Sequence, residues 1–249
     1  MRKIRYIIQA RMESKRLQGK VLRLIGGKPL IEHMVDRLFL SGAKVGEIMF
    51  ALAEEEDDSL RNFLESKDLP FYTGEKLNVL SRYISTSQEL HENDCVVRIT
   101  ADNPFLDYNI LNLMVNDSKL RSADLTYPIK LPVGMGFEMI RVGALRSQLE
   151  HELSLHHKEH VTAFIRENSD TYNLQPAIYY TDVPKIRLTV DYTEDLEQAE
   201  KTWRYFSDAG KPNFCTDDVY SLAKVNGDFF NLNKDSLQRS ALSYEKPPA

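Results

Sequence analysis

Residues 7–20 read IIQARMESKRLQGK. A short apolar run, Ile4–Ile8, gives way at once to a loop carrying Arg11, Lys15, Arg16 and Lys20, with Gly19 beside the last lysine. Isoleucine at this density predicts a strand. A strand that empties into a cationic, glycine-containing loop suits an anion such as a polyphosphate. The strand fixes the loop, backbone N–H groups and cationic side chains face the anion, and glycine permits close approach. Arginine adds a planar fork matched to phosphate oxygens. On charge alone, a solvated basic surface loop is the plainer reading. The placement directly after a strand favours the anion site. The stretch contains neither G-x-G-x-x-G nor G-x-x-x-x-G-K-[ST], so it is neither a dinucleotide fingerprint nor a Walker loop.

Outward from this loop, apolar runs alternate with segments of helical period. Strands are predicted at Ile4–Ile8, Glu47–Ala51, Phe71–Tyr72, Val96–Thr100 and Leu125–Tyr127, and helices at Pro29–Leu40, Asp57–Ser66, Asn78–Leu90 and Tyr108–Ser118. In the first helix Leu30, Ile31, Met34, Val35 and Leu38 make one apolar stripe. The β-α-β-α order predicts an α/β fold with a mostly parallel central sheet covered by helices on both faces. The second half is less regular. Leu131–Phe137 (LPVGMGF) reads as a loop or hairpin, Val142–His151 and Lys158–Asn168 as helices, Tyr172–Tyr180 and Ile186–Val190 as strands, and Glu194–Ser207 as a helix opened by Thr193. We expect one domain over 1–227, irregular over about 128–180, and a loosely held polar tail over 228–249.

A length of 249 residues suits one large α/β domain, and the net charge of −5 disfavours a nucleic-acid-binding surface while allowing a local basic pocket. Cys95 and Cys215 have no metal-like spacing and read as reduced thiols of a cytoplasmic protein. No apolar run approaches the roughly 20 residues of a bilayer span, and Ile4–Ile8 is too short for a secretory segment. No membrane role is expected.

Two aspartates draw attention. VVRITADNP (96–104) is a strand that ends in Asp102, and LTVDYTEDL (188–196) is a strand that ends in Asp191. In parallel α/β sheets ligands sit beyond the carboxyl ends of the strands. A carboxylate there can hold a hard cation such as Mg²⁺ together with substrate phosphates. The plainer reading of Asp102 is a turn before Asn103-Pro104. Glu194 and Asp195 suit the first turn of a helix electrostatically. In HELSLHHKEH (151–160), His156 and His160 are four apart, but H-E-x-x-H is absent, which argues against zinc.

These blocks resemble the nucleotidyltransferases that make CMP-activated sugar acids, in particular the spore-coat-polysaccharide branch. Arg11, Met12, Ser14, Arg16, Leu17, Gly19 and Lys20 match the signature R-M-x-S-x-R-L-x-G-K, and VLRLIGGKPLIEHMVDRL (21–38) matches its continuation. Residues 96–104 match R-I-T-G-D-x-P with Ala101 for glycine, and residues 186–196 nearly reproduce L-R-L-T-V-D-T-P-E-D-L. KEHVTAFI (158–165) is similar to R-E-H-V-T-P-Y-I, and GEKLNVLSR (74–82) to G-x-x-x-D-V-L-x-R, with Asn78 for aspartate. Glu13 stands for the usual glycine and Gln18 for the usual proline.

The resemblance implies a Rossmann-like three-layer sandwich of the nucleotide-diphospho-sugar transferase type and a CTP-dependent cytidylyltransferase acting as a homodimer on a small sugar. It implies nucleotide contacts from Gln9, Ala10, Arg11, Met12, Ser14, Arg16, Gly19, Lys20, Gly74, Arg82 and Asp102, with Arg11 and Lys20 catalytic. It implies Mg²⁺ on Asp102 and Asp191, and a sugar side built from Glu138, Lys158, Glu159 and His160, with Pro132 and Gly134 before them. Region 128–180 would carry acceptor recognition and dimerisation. A sugar-nucleotide glycosyltransferase of related fold is one alternative, weakened by the lack of a D-x-D motif at a strand end. A non-catalytic nucleotide-binding homologue is the other, motivated by Glu13 and Asn78.

Overall fold

The computed structural model describes residues 2–14, 16–55 and 58–236. Its centre is a seven-stranded sheet in the order β5-β4-β1-β6-β8-β7-β9. The strands are β1 (Ile4–Gln9), β4 (Ile48–Ala53), β5 (Phe71–Gly74), β6 (Cys95–Thr100), β7 (Leu125–Ile129), β8 (Glu138–Arg141) and β9 (Leu174–Ile178). All run the same way except β8, which is antiparallel to both β6 and β7. The expected mostly parallel sheet is therefore present. The unanticipated antiparallel strand is only four residues long, too short for a period to show. A small ribbon, β2 (Leu24–Ile25) and β3 (Lys28–Pro29), turns through Gly26 and Gly27.

Alternation along the strands sorts the side chains into two layers. Tyr6 and Ile8 pack with α1 (Leu30–Leu40), α2 (Asp58–Ser66) and α4 (Tyr108–Asn116). Ile7, Ala51 and Val96 pack on the opposite face with α3 (Val79–Ser85), α5 (Val142–Ser147) and α7 (Ala163–Glu167). The stripe Leu30, Ile31, Met34, Val35 and Leu38 of α1 is fully buried. A third apolar cluster joins α8 (Thr193–Asp208) and α9 (Thr216–Val225) to Phe105, Met135, Ile186, Leu188 and Val190.

Several expected elements are shorter or different. The helix expected over 78–90 is α3 alone: Asn78 caps it, its Oδ1 accepting from Ser81 N at 3.0 Å, and the Thr86 hydroxyl donates to the Arg82 carbonyl at its end. Asparagine caps as well as aspartate, so this departure from the family pattern leaves the helix start intact. The helix expected over 158–168 is two short ones, α6 (Leu155–Glu159) and α7, separated at His160–Thr162. Residues 142–151 form α5 and a following 3₁₀ turn. Ile186–Val190 joins no sheet among the described residues, where its one bridge pairs Val133 with Arg187. The tail expected from residue 228 packs in part: Phe229, Phe230 and Asn233 are buried. Residues 237–249, and the start of the expected helix at Asp57, lie outside the described residues.

Candidate active site

From β1 the chain crosses to β4 and β5 on one side of the sheet and returns to β6 on the other. The crevice between the carboxyl ends of β1 and β6 is therefore the switch point, where open α/β sheets bind ligands. Ala101 N donates to the Gln9 carbonyl at 2.9 Å and keeps the two strand ends together. The basic loop leaves from β1. Gly19, at φ +65°, donates its N–H to the Met12 carbonyl at 3.0 Å, and Ser14 Oγ accepts from Leu17 N at 3.3 Å. This tight return leads into a 3₁₀ turn, Lys20–Leu22. Lys20 is only 6 % exposed, and its ammonium donates to Asp102 Oδ2 at 2.9 Å and to Asp191 Oδ1 at 2.8 Å.

The two aspartates lie 89 positions apart in sequence and meet through backbone bonding. The turn after β6 is held by Asn103, whose N–H donates to the Thr100 carbonyl and whose Nδ2 donates to Thr100 Oγ1. That leaves the Asp102 carboxylate for Lys20, while the Asp102 carbonyl accepts from Val190 N at 2.9 Å. Farther back, Val133 N donates to the Ile186 carbonyl at 2.8 Å, and Leu188 N and Thr189 N donate to the Val133 carbonyl. Gly134 makes this contact possible. At φ +98°, a Cβ there would lie 2.3 Å from Thr189 N and 2.7 Å from the Leu188 carbonyl carbon. Both the backbone angle and the space exclude a side chain. Gly134→Ala is expected to destabilise the protein by about 2 kcal/mol or more, read by chemical unfolding; an unchanged unfolding midpoint would remove the segment's dependence on this contact.

Asp191 is the electrostatic hub. Arg16 donates to Oδ1 at 2.9 Å beside Lys20, and Arg187 donates to Oδ2 at 3.1 Å. Burial alone would raise the Asp191 pKa, but Lys20, Arg16 and Arg187 outweigh it and hold the carboxyl below its ordinary range. Arg16 also lies over the Tyr192 ring at 4.8 Å. Behind the hub stands Asp195, fully buried, which takes Arg187 on both oxygens at 2.8 and 2.9 Å and accepts from Asp191 N and Tyr192 N. Sequence reading assigned Asp195 to helix electrostatics alone and did not single out Arg187. The arginine in the matched L-R-L-T-V-D block was the available signal.

Other expected contacts are placed as follows. Arg11 is exposed and makes no hydrogen bond or ion pair with the described residues, so it is a cation available to a ligand. Gln9 Oε1 accepts from Arg98 at 3.4 Å, and Ala10 is buried beneath the loop. Glu13 pairs with Lys76 Nζ at 2.7 Å, so the charge that departs from the family pattern is neutralised by a neighbouring loop. Gly74 ends β5 against the buried Arg82 stem, and Arg82 donates to the Ala51 carbonyl at 3.4 Å. Glu138 opens β8 and is gripped by Arg98 at 2.8 Å, Arg166 at 2.6 Å and the Thr162 hydroxyl, which joins it to the His160 segment. Lys158 is half-buried and Glu159 exposed. Burial, together with His156 and Arg98, pushes His160 below the ordinary histidine range. Instead of a metal set, His157 Nε2 lies 2.8 Å from Glu167 Oε2, tying α6 to α7.

Comparison with known proteins gives the family and the fold. The family model described as "Cytidylyltransferase" matches residues 6–220. The chain is 29% identical over 236 residues to the spore coat polysaccharide biosynthesis protein SpsF of Bacillus subtilis, covering 92% of this chain and 97% of that protein. Its structure is similar to that of a cytidylyltransferase from Leptospira borgpetersenii, with TM-score 0.81 at 24% identity over 92% of this chain and 97% of that one. It is also similar to CMP:2-keto-3-deoxy-manno-octonic acid synthetase complexed with CTP, with TM-score 0.62 at 16% identity over 82% of this chain and 99% of that one. The chain belongs to the cytidylyltransferase family and is a CTP-dependent nucleotidyltransferase.

Proposed function

We propose that the protein transfers CMP from CTP to a hydroxyl of an acidic, nonulosonate-like sugar, releasing pyrophosphate, in the synthesis of a surface polysaccharide. The observation that carries this reading is the Lys20 ammonium shared by Asp102 and Asp191 at the β1–β6 switch point. The names of the similar proteins support it: one serves spore coat polysaccharide biosynthesis, and another is an octonic acid synthetase bound to CTP. The acceptor hydroxyl gives its proton to water, its oxygen bonds to the α-phosphorus, and the bond from that phosphorus to the α–β bridging oxygen breaks, so pyrophosphate leaves. In this reading exposed Arg11 meets the triphosphate, and Lys20 neutralises charge as pyrophosphate departs. Catalysis is then chiefly positioning and charge stabilisation.

The donor set fits Mg²⁺. Among the described residues no group of three or more His, Cys, Asp or Glu gathers as a metal cage, but Mg²⁺ takes one or two carboxylates and completes its shell with phosphates and water. Asp102 and Asp191 are two hard oxygen donors that meet on the Lys20 ammonium, so an ion they held would sit beside that charge. They would hold the ion, which when bound neutralises phosphate charge. No helix of the described residues is long and apolar enough to cross a membrane. Two free thiols support a reducing cytoplasm, and the homodimer rests on the family resemblance alone. The test is pyrophosphate release with each of the four nucleoside triphosphates and a panel of acidic sugars, beside Asp102→Ala. Turnover with CTP and one sugar, lost at least 100-fold in the variant, is expected. Absence of both turnover and Mg²⁺-dependent CTP binding would overturn the reading.

A further inference from the structure

The hub behind Asp191 is closed by a residue outside the family-matched span of 6–220. Asn233, 2 % exposed, donates through Nδ2 to Asp195 Oδ1 at 2.7 Å and to the Arg187 carbonyl at 3.1 Å. One amide thus grips both members of the pair that orients Asp191. The segment that carries it is fastened to α8. Lys201 Nζ donates to the Phe229 carbonyl at 2.6 Å and lies 4.2 Å from the centre of the Phe229 ring, and Leu232 N donates to Gln198 Oε1 at 3.3 Å. Phe229 and Phe230 are buried in the α8–α9 cluster.

We propose that Asn233 is a positioning residue: the C-terminal segment, through Asn233, braces the Arg187–Asp195 pair and so sets the direction of the Asp191 carboxylate in the site. Asp195 receives Arg187 on both oxygens, two backbone N–H groups on Oδ2, and Asn233 on Oδ1. Asn233 Nδ2 is the one donor in this set that comes from outside 187–195, so it ties the side chains of the pair to the C-terminal segment, in addition to the backbone bonds that Val133 and Asp102 make to 186–190. Partners that orient a metal-ligating carboxylate typically change metal affinity or activity 10–100-fold when removed. The catalytic consequence rests on the function proposed above; the brace itself does not.

The test uses the full-length chain with Asn233→Leu, which keeps the shape and removes the donors, and Asn233→Ser, which keeps a single donor. Hydrogen exchange resolves the Asp191 and Tyr192 amides, both bonded to Asp195. In Asn233→Leu their protection is expected to fall at least tenfold while β1 and β6 keep theirs, with Asn233→Ser intermediate. Calorimetry of CTP binding against Mg²⁺ concentration is then expected to show an Mg²⁺ midpoint raised about tenfold in Asn233→Leu, with metal-free CTP binding unchanged. Unaltered protection at Asp191 and Tyr192 would overturn the brace. Lost protection with a wild-type Mg²⁺ midpoint would reduce Asn233 to a structural role. If the wild-type protein binds no CTP, the functional reading fails, and hydrogen exchange still decides the brace.

Discussion

Lys20→Met is expected to lower CTP-dependent pyrophosphate release by about 10²–10³-fold, the loss usual when one preorganised charge donor is removed from a site. The ammonium is nearly buried and shared at 2.9 and 2.8 Å between two carboxylates from distant segments. Without it Asp102 and Asp191 confront each other as like charges. Asp191 keeps Arg16 and Arg187, so the damage falls mainly on Asp102 and on the phosphates that Lys20 would meet. Methionine preserves the stem and much of its packing, so the circular dichroism spectrum should stay native. Lys20→Arg is not expected to rescue. A guanidinium is a flat fork, and this position accepts a compact point charge on two oxygens at once. Excess Mg²⁺ should recover part of the activity of the methionine variant, because a second cation can screen the unpaired carboxylates. Turnover within threefold of wild type would remove Lys20 from the catalytic machinery.

What could be read from the sequence follows from how locally each feature is encoded. Asp102 sits just beyond the apolar run of β6, and Lys20 lies in the loop that follows the apolar run of β1, so both could be assigned to the crevice from local sequence. The same holds for β1, β4 and β6 and for the α1 stripe. The position of Asp191 was legible, but its support was misread. Ile186–Val190 has the apolar run of a strand, yet its partners are the Val133 backbone and the Asp102 carbonyl rather than a sheet edge. That choice depends on Gly134 and on contacts across more than fifty residues, which no local pattern encodes. Asp195 shows the reverse error. An acid in a first helical turn has a sufficient local explanation, and its role as the anchor of Arg187 appears only in three dimensions. The break at His160–Thr162 has a similar origin, since Thr162 and Arg166 turn to reach Glu138 on β8. The departures Glu13 and Asn78 have local structural partners: one pairs with Lys76 and the other caps α3.

Glu138 carries the largest expected effect on stability. It stands between Arg98 and Arg166, with Thr162 donating to both of its oxygens and Arg166 lying 3.7 Å from the centre of the Tyr127 ring. Burial alone would raise its pKa; Arg166 and Arg98 overcome that and bring it from 4.5 down to about 2. Glu138→Gln is expected to cost about 3–5 kcal/mol, because it leaves two buried guanidinium groups without their counter-charge. The pH dependence has a definite sign. A carboxyl whose pKa is depressed on folding contributes fully above its unfolded value, near 4.5, and the contribution is lost as pH falls toward 2. On the order of 3 kcal/mol of wild-type stability should disappear across that window. Urea unfolding at pH 7, 4.5 and 3 checks both statements. The variant should be much the weaker at pH 7, and the gap between the two proteins should narrow as the unfolded-state carboxyl of the wild type takes up its proton below pH 4.5. A gap that stays constant from pH 7 to 3 would mean that Glu138 contributes packing rather than charge, and would free its carboxylate for the sugar contact that the family resemblance implies.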